Sequence, residues 1–199
     1  NRETAKRDSF LDNDPWCLHV PNGVKVKITG ISDDTEVSVS KTYNDTVFES
    51  KLYTDKEIRS EDRGKGTMKE ASTRIVRTIF DYSNASYSNL VIGEVVDFPG
   101  KWSSYPPHHH PQPEIYFYKF YPSQGYGYSE VGENVFKVRN NDTVKILNDA
   151  THPQATMPGY AMYYIWVIRH IDKNPYIEPT FLPEHLWVTK KDAKIWPDK

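Results

Sequence analysis

The chain has 199 residues, enough for one large or two small domains with real cores. With 37% hydrophobic and 26% charged residues and a formal net charge of -2, it offers no electrostatic attraction for nucleic acid or an anionic membrane. No apolar run approaches the ~20 residues that cross a bilayer. Cys17, the single cysteine, forms no internal disulfide, which fits a reducing cytoplasm.

Aromatic residues make up 14% of the chain, and 14 Pro against 3 Met favour strands and turns over long helices. The first strand is predicted at Trp16-Cys17-Leu18-His19-Val20, before the turn Pro21-Asn22-Gly23. Val24–Ile28 and Glu36–Ser40 alternate apolar and polar residues, so each is predicted as a half-buried strand. Between Asp55 and Glu70 the chain turns charged and glycine-containing, centred on Glu61-Asp62-Arg63-Gly64-Lys65-Gly66, and a domain boundary is placed there.

Strands resume at Arg74–Ile79, Leu90–Val96, Glu114–Phe120, Asn134–Val138, Asp142–Leu147 and Ala161–Ile168. The one short helical stretch is predicted near Leu182 to Trp187. Many short strands with frequent turns indicate an antiparallel sandwich or barrel.

The chemistry concentrates in Pro106-Pro107-His108-His109-His110-Pro111-Gln112-Pro113-Glu114. On an extended backbone His108 and His110 point one way and His109 the other. If Glu114 faces inward, then Tyr116, Tyr118 and Phe120 do too. Two imidazoles and a carboxylate converging from neighbouring strands form most of a transition-metal site. His152, after the Val144–Leu147 strand, is the leading fourth ligand; Asp142 and Asp149 fit turn and capping roles as well. Solvated loops also carry histidine runs, and His109 keeps that reading.

At these residues the chain resembles known proteins at two levels. His-x-His-x3-Glu with a later His is the general metal-binding pattern of cupins, which are small jelly-roll barrels. The run Gly100-Lys101-Trp102-Ser103-Ser104-Tyr105-Pro106-Pro107-His108 is similar to the 5-deoxy-glucuronate isomerase family of inositol catabolism, itself related to 4-deoxy-hexuronate ketol-isomerases. So are Glu114–Phe120, His152-Pro153, Pro158-Gly159-Tyr160 with Tyr163-Tyr164, Arg63-Gly64-x-Gly66 and Pro183-Glu184-His185-Leu186-Trp187. The chain departs from that pattern in the compact Pro111-Gln112-Pro113, in Trp166 where Asn is usual, and in Arg169-His170.

The resemblance implies an all-β, two-cupin chain: a partial N-terminal cupin-like half over 1–62 and a metal-binding cupin over 63–199. It also leads us to expect further chain before Asn1 and after Ala5. It implies a metal-dependent aldose–ketose isomerase in the cytoplasm, acting on a deoxy-hexuronate such as 5-deoxy-glucuronate. The expected ligands of a zinc or manganese ion are His108, His110, Glu114 and His152. Glu184, Tyr116 and Tyr164 are candidates for proton transfer, and Tyr118, Tyr163 and Arg169 for substrate contact; for the tyrosines, core packing is the competing role. The expected partner is a small sugar acid, with neither nucleic acid nor membrane, and exposed antiparallel edges favour a homo-oligomer. Two other readings use the same residues: an Fe(II) dioxygenase or other oxidoreductase, and a non-catalytic sugar-binding cupin.

Overall fold

The structure is a computed structural model and describes residues 2–198, so Asn1 and Lys199, which open and close the two expected halves, lie outside the described residues. Its fourteen strands are β1 (Cys17–His19), β2 (Lys51–Tyr53), β3 (Arg59–Arg63), β4 (Arg74–Phe80), β5 (Leu90–Asp97), β6 (Trp102–Ser103) and β7 (His108–His109), followed by β8 (Glu114–Tyr121), β9 (Tyr126–Val131), β10 (Asn134–Arg139), β11 (Thr143–Ile146), β12 (Gln154–Thr156), β13 (Ala161–Arg169) and β14 (Thr180–Phe181). The helical segments among the described residues are short 3-10 turns, and Pro183–Thr189 is the one expected near Leu182.

Six strands form one sheet in the order β11-β8-β13-β5-β4-β3, and four form a second in the order β10-β9-β12-β6. Every pairing is antiparallel. The sheets face one another. Val76, Val95, Tyr116, Tyr118, Met162 and Tyr164 from the larger sheet pack with Val138 of the smaller. The Tyr118 hydroxyl also crosses the gap to donate to Gln154 on β12 at 2.7 Å. This is the expected jelly-roll cupin architecture.

Along β8 the residues from Glu114 to Phe120 bury every second side chain, as the alternation predicted. β4, β5 and β13 are buried on both faces instead. A second core of Tyr53, Ile79, Phe80, Ala85, Leu90 and Val167 covers their outer side beneath β1 and β2. A bulge between Thr78 and Phe80 turns Phe80 toward that outer core. Trp166 lies opposite Gly93 in register, and a Cβ there would stand 2.2 Å from the Trp166 ring. The missing side chain of Gly93 makes room for that indole beside the inner core.

The first third departs from the sequence reading. Val24–Ile28 and Glu36–Ser40 form no strand, and Val24, Val26, Ile28, Val37 and Val39 are exposed. Alternation provides a face, but a strand exists only where another strand completes its ladder, and the described residues offer these runs none. The boundary expected at 62/63 falls within β3, which pairs with β4 from Arg59 to Arg63.

Candidate metal centre

β7 carries His108, a short turn carries His110, and Glu114 opens β8. His152 arrives from the segment between β11 and β12. His110, Glu114 and His152 are 4%, 3% and 1% exposed, and one ligand atom from each lies within 4.8 Å of the others. Nε2 of His110 is 3.2 Å from Oε2 of Glu114, and Nε2 of His152 is 3.4 Å from the same oxygen.

His108 flanks this trio. Its ring meets that of His152 edge-on at 4.7 Å, and the His110 ring meets His152 at 5.2 Å. His109 points away and bonds Asp149 at 2.7 Å, so the alternation across 108–110 holds.

The backbone fixes the tautomers. Nδ1 of His108 lies 3.2 Å from the Pro106 carbonyl, that of His110 2.9 Å from Gln112, and that of His152 2.9 Å from Ala150. A carbonyl only accepts, so each Nδ1 carries a proton, and a neutral ring in that tautomer presents a bare Nε2. Burial pushes His152 and His108 down to about 4, so both are neutral near pH 7. His152 Nε2 is fully buried with no hydrogen-bond partner among the described residues. The bare Nε2 of His152 and Nε2 of His110 thus converge on one Glu114 carboxylate oxygen. A divalent cation satisfies such a group.

A buried shell of hydroxyls backs the centre. Tyr116 sits 5.9 Å from the His152 ring, and its hydroxyl bonds Ser104 at 3.2 Å. The Tyr164 hydroxyl bonds Ser103 at 2.5 Å and Ser104 at 3.4 Å. Burial raises the pKa of both phenols, so they stay protonated. Gln154 accepts from Tyr118 and donates to the His152 carbonyl at 2.6 Å, which ties the loop bearing His152 to β8. From the C-terminal side, Tyr176 meets the His110 ring at 4.8 Å and Phe181 meets His108 at 5.3 Å.

Other expected site residues lie elsewhere. Tyr163 is on the opposite face of β13 from Tyr164, because adjacent residues on a strand cannot share a face. Its hydroxyl bonds Glu94, and its ring meets that of Phe10 at a tilt, 5.1 Å between centroids. Arg169 is exposed at the end of β13, and Glu184 is exposed on the 3-10 segment Pro183–Thr189. The spacing argument passed over Gln154, Tyr176 and Phe181, which carry no local signal. Ser103 and Ser104 stood in the Trp-Ser-Ser-Tyr-Pro-Pro-His run, but only the tertiary contacts reveal that they anchor the two phenols.

Two facing antiparallel sheets with a histidine–carboxylate group at one end of the larger sheet define a cupin-type protein. Vicilin from hazelnut (Corylus avellana) shares the fold at a TM-score of 0.51 with 10% identity, covering 65% of this chain and 35% of that one. The chain belongs to the KduI/IolB family, whose model matches residues 1–188. It is 29% identical to the 5-deoxy-glucuronate isomerase of Bacillus licheniformis over 202 residues, which span 93% of this chain and 71% of that protein. It is also 29% identical to the enzyme of that name from Geobacillus kaustophilus, over 82% of this chain and 62% of that one. An IolB-like protein from Salmonella typhimurium LT2 superposes with a TM-score of 0.65 and 28% identity, covering 71% of this chain and 57% of that chain.

Proposed function

We propose that the chain is a metal-dependent aldose–ketose isomerase of inositol catabolism that converts 5-deoxy-glucuronate to 5-dehydro-2-deoxygluconate. Its family membership and the naming of its curated relatives support this reading. The observation that carries it is the buried convergence of the His110 and His152 Nε2 atoms on Glu114, each ring held by a backbone carbonyl at Nδ1. His110, Glu114 and His152, joined by His108, would hold a zinc or manganese ion. Such an ion, when bound, polarises a carbonyl and lowers the pKa of a neighbouring hydroxyl.

The chain's own residues supply the rest. Ser103 and Ser104 hold the Tyr164 and Tyr116 hydroxyls in fixed positions, with the Tyr116 ring beside His152, and on this reading these phenols pass a proton between adjacent substrate oxygens. Gln154 keeps His152 in place through its backbone. Tyr176 and Phe181 wall the histidine side and keep bulk water from it. The same reading places the enzyme in the cytoplasm as a homo-oligomer.

The test is to incubate metal-loaded protein with 5-deoxy-glucuronate and follow loss of the aldehyde signal by NMR, with and without chelator. Chelator-sensitive conversion is expected. Metal-loaded protein that leaves the aldose untouched would overturn the reading.

A further inference from the structure

The Arg63-Gly64-x-Gly66 motif plays no part in the metal set. In the structure Arg63 ends β3 directly opposite Arg74 on β4, so the two side chains share a face. Like charges in register repel.

Arg74 projects with Val76 into the space between the sheets and keeps 9% exposure. Its Nη1 donates to the Ser72 carbonyl at 2.8 Å and the Ser72 hydroxyl at 2.6 Å, while Nη2 only reaches the Tyr105 carbonyl at 3.5 Å. Among the described residues Arg74 has no ion pair, and Arg63 pairs only with the exposed Glu61 at 2.9 Å. Asp97 stands opposite Arg74 across β5, fully buried, with neither carboxylate oxygen hydrogen-bonded among the described residues. Burial pushes the Asp97 carboxyl well above the usual carboxylate range, against the pull of Arg74. With no carboxylate oxygen in ion-pair contact among the described residues, the Arg74 charge lies buried and unpaired, and such a cation is costly to keep.

The loop that cradles Arg74 is built around a required glycine. At Gly64, with φ +79°, a Cβ would lie 2.0 Å from the Ser72 carbonyl oxygen, the same oxygen that accepts from Arg74. The other contact of the guanidinium, Tyr105, begins the Tyr105-Pro106-Pro107-His108 run that leads to the metal centre.

We propose that Arg74, with Arg63 beside it in register, binds the carboxylate of a sugar-acid substrate on the His108 side of the metal centre. This deepens the isomerase reading and rests on it for the identity of the sugar. The planar guanidinium fork matches a carboxylate through two parallel hydrogen bonds, and a lysine does not reproduce that geometry. A carboxylate seated there would complete the unfilled bonding of Arg74 and relieve its repulsion with Arg63. The aldehyde end of the same molecule would then lie toward His110, Glu114 and His152.

Glucuronate and glucose are the probes, since they share a ring and differ in the carboxylate. Calorimetry on metal-loaded protein should show glucuronate binding at least about tenfold more tightly than glucose. Arg74→Met should weaken glucuronate about 100-fold and Arg63→Gln about tenfold, with glucose affinity and metal content unchanged. Arg74→Lys should restore only part of the loss. Equal preference for glucuronate over glucose in native and variant proteins overturns the proposal, as does a native protein that does not discriminate between them. Arg63 is exposed, so Arg63→Gln carries the test even where Arg74→Met fails to fold. Native protein that binds glucuronate through these arginines but leaves 5-deoxy-glucuronate unconverted would sink the isomerase reading and leave this site standing.

Discussion

Two buried clusters of ionisable groups lie on opposite faces of the larger sheet, and they satisfy their charges in opposite ways. On the outer face, Glu94 accepts from Nη1 and Nη2 of Arg7, each at 2.7 Å, and from the Tyr163 hydroxyl. Arg77 lies 3.7 Å from Glu94 and is itself held by Asp14 and by the Phe10 and Leu11 carbonyls. Every charge there meets its opposite, and the segment from Arg7 to Asp14 is tied to the sheet. On the inner face, Glu114 meets Nε2 of His110 and of His152, whose Nδ1–H groups are held by backbone carbonyls. The first cluster is closed and structural. The second is open, a group of donor atoms of the kind that holds a cation.

Substitutions can break this contrast. The largest effect is expected from His152→Ala, which should take bound metal from about one ion per chain to near zero, with turnover lost; elemental analysis beside an activity assay reads both. Metal retained at the native level in that variant would show that the inner cluster is not the site. Glu94→Gln takes from Arg7 its carboxylate partner and should cost about 3 kcal/mol in urea unfolding while leaving metal content intact. Were metal lost in proportion to stability, the two faces would not be independent.

Smaller effects sharpen the same contrast. Gln154→Leu cuts the link to the His152 carbonyl, and about a 10- to 100-fold loss of metal affinity by chelator competition is expected. The least effect should come from His109→Ala, whose half-exposed pair with Asp149 is worth within about 0.5 kcal/mol and touches no ligand. A metal loss in His109→Ala as large as that in His152→Ala would reverse the facing read from the 108–110 alternation.

Read from the chain alone, local spacing determined the inward set on β8 and the opposed directions of His109 and its two neighbours. It succeeded there because a strand of period two fixes which side chains share a face, whatever lies across from them. Tertiary structure decided the rest. The runs at 24–28 and 36–40 have the same alternation and no strand, because a ladder needs a neighbour that spacing cannot provide. Tyr163 and Tyr164 look alike in sequence, yet one serves Arg7 and Glu94 while the other joins Ser103 and Ser104. Arg74 gave no signal at all, since its meaning lies in standing opposite Arg63 and Asp97. Those are relations between segments distant along the chain, and only strand pairing brings them together.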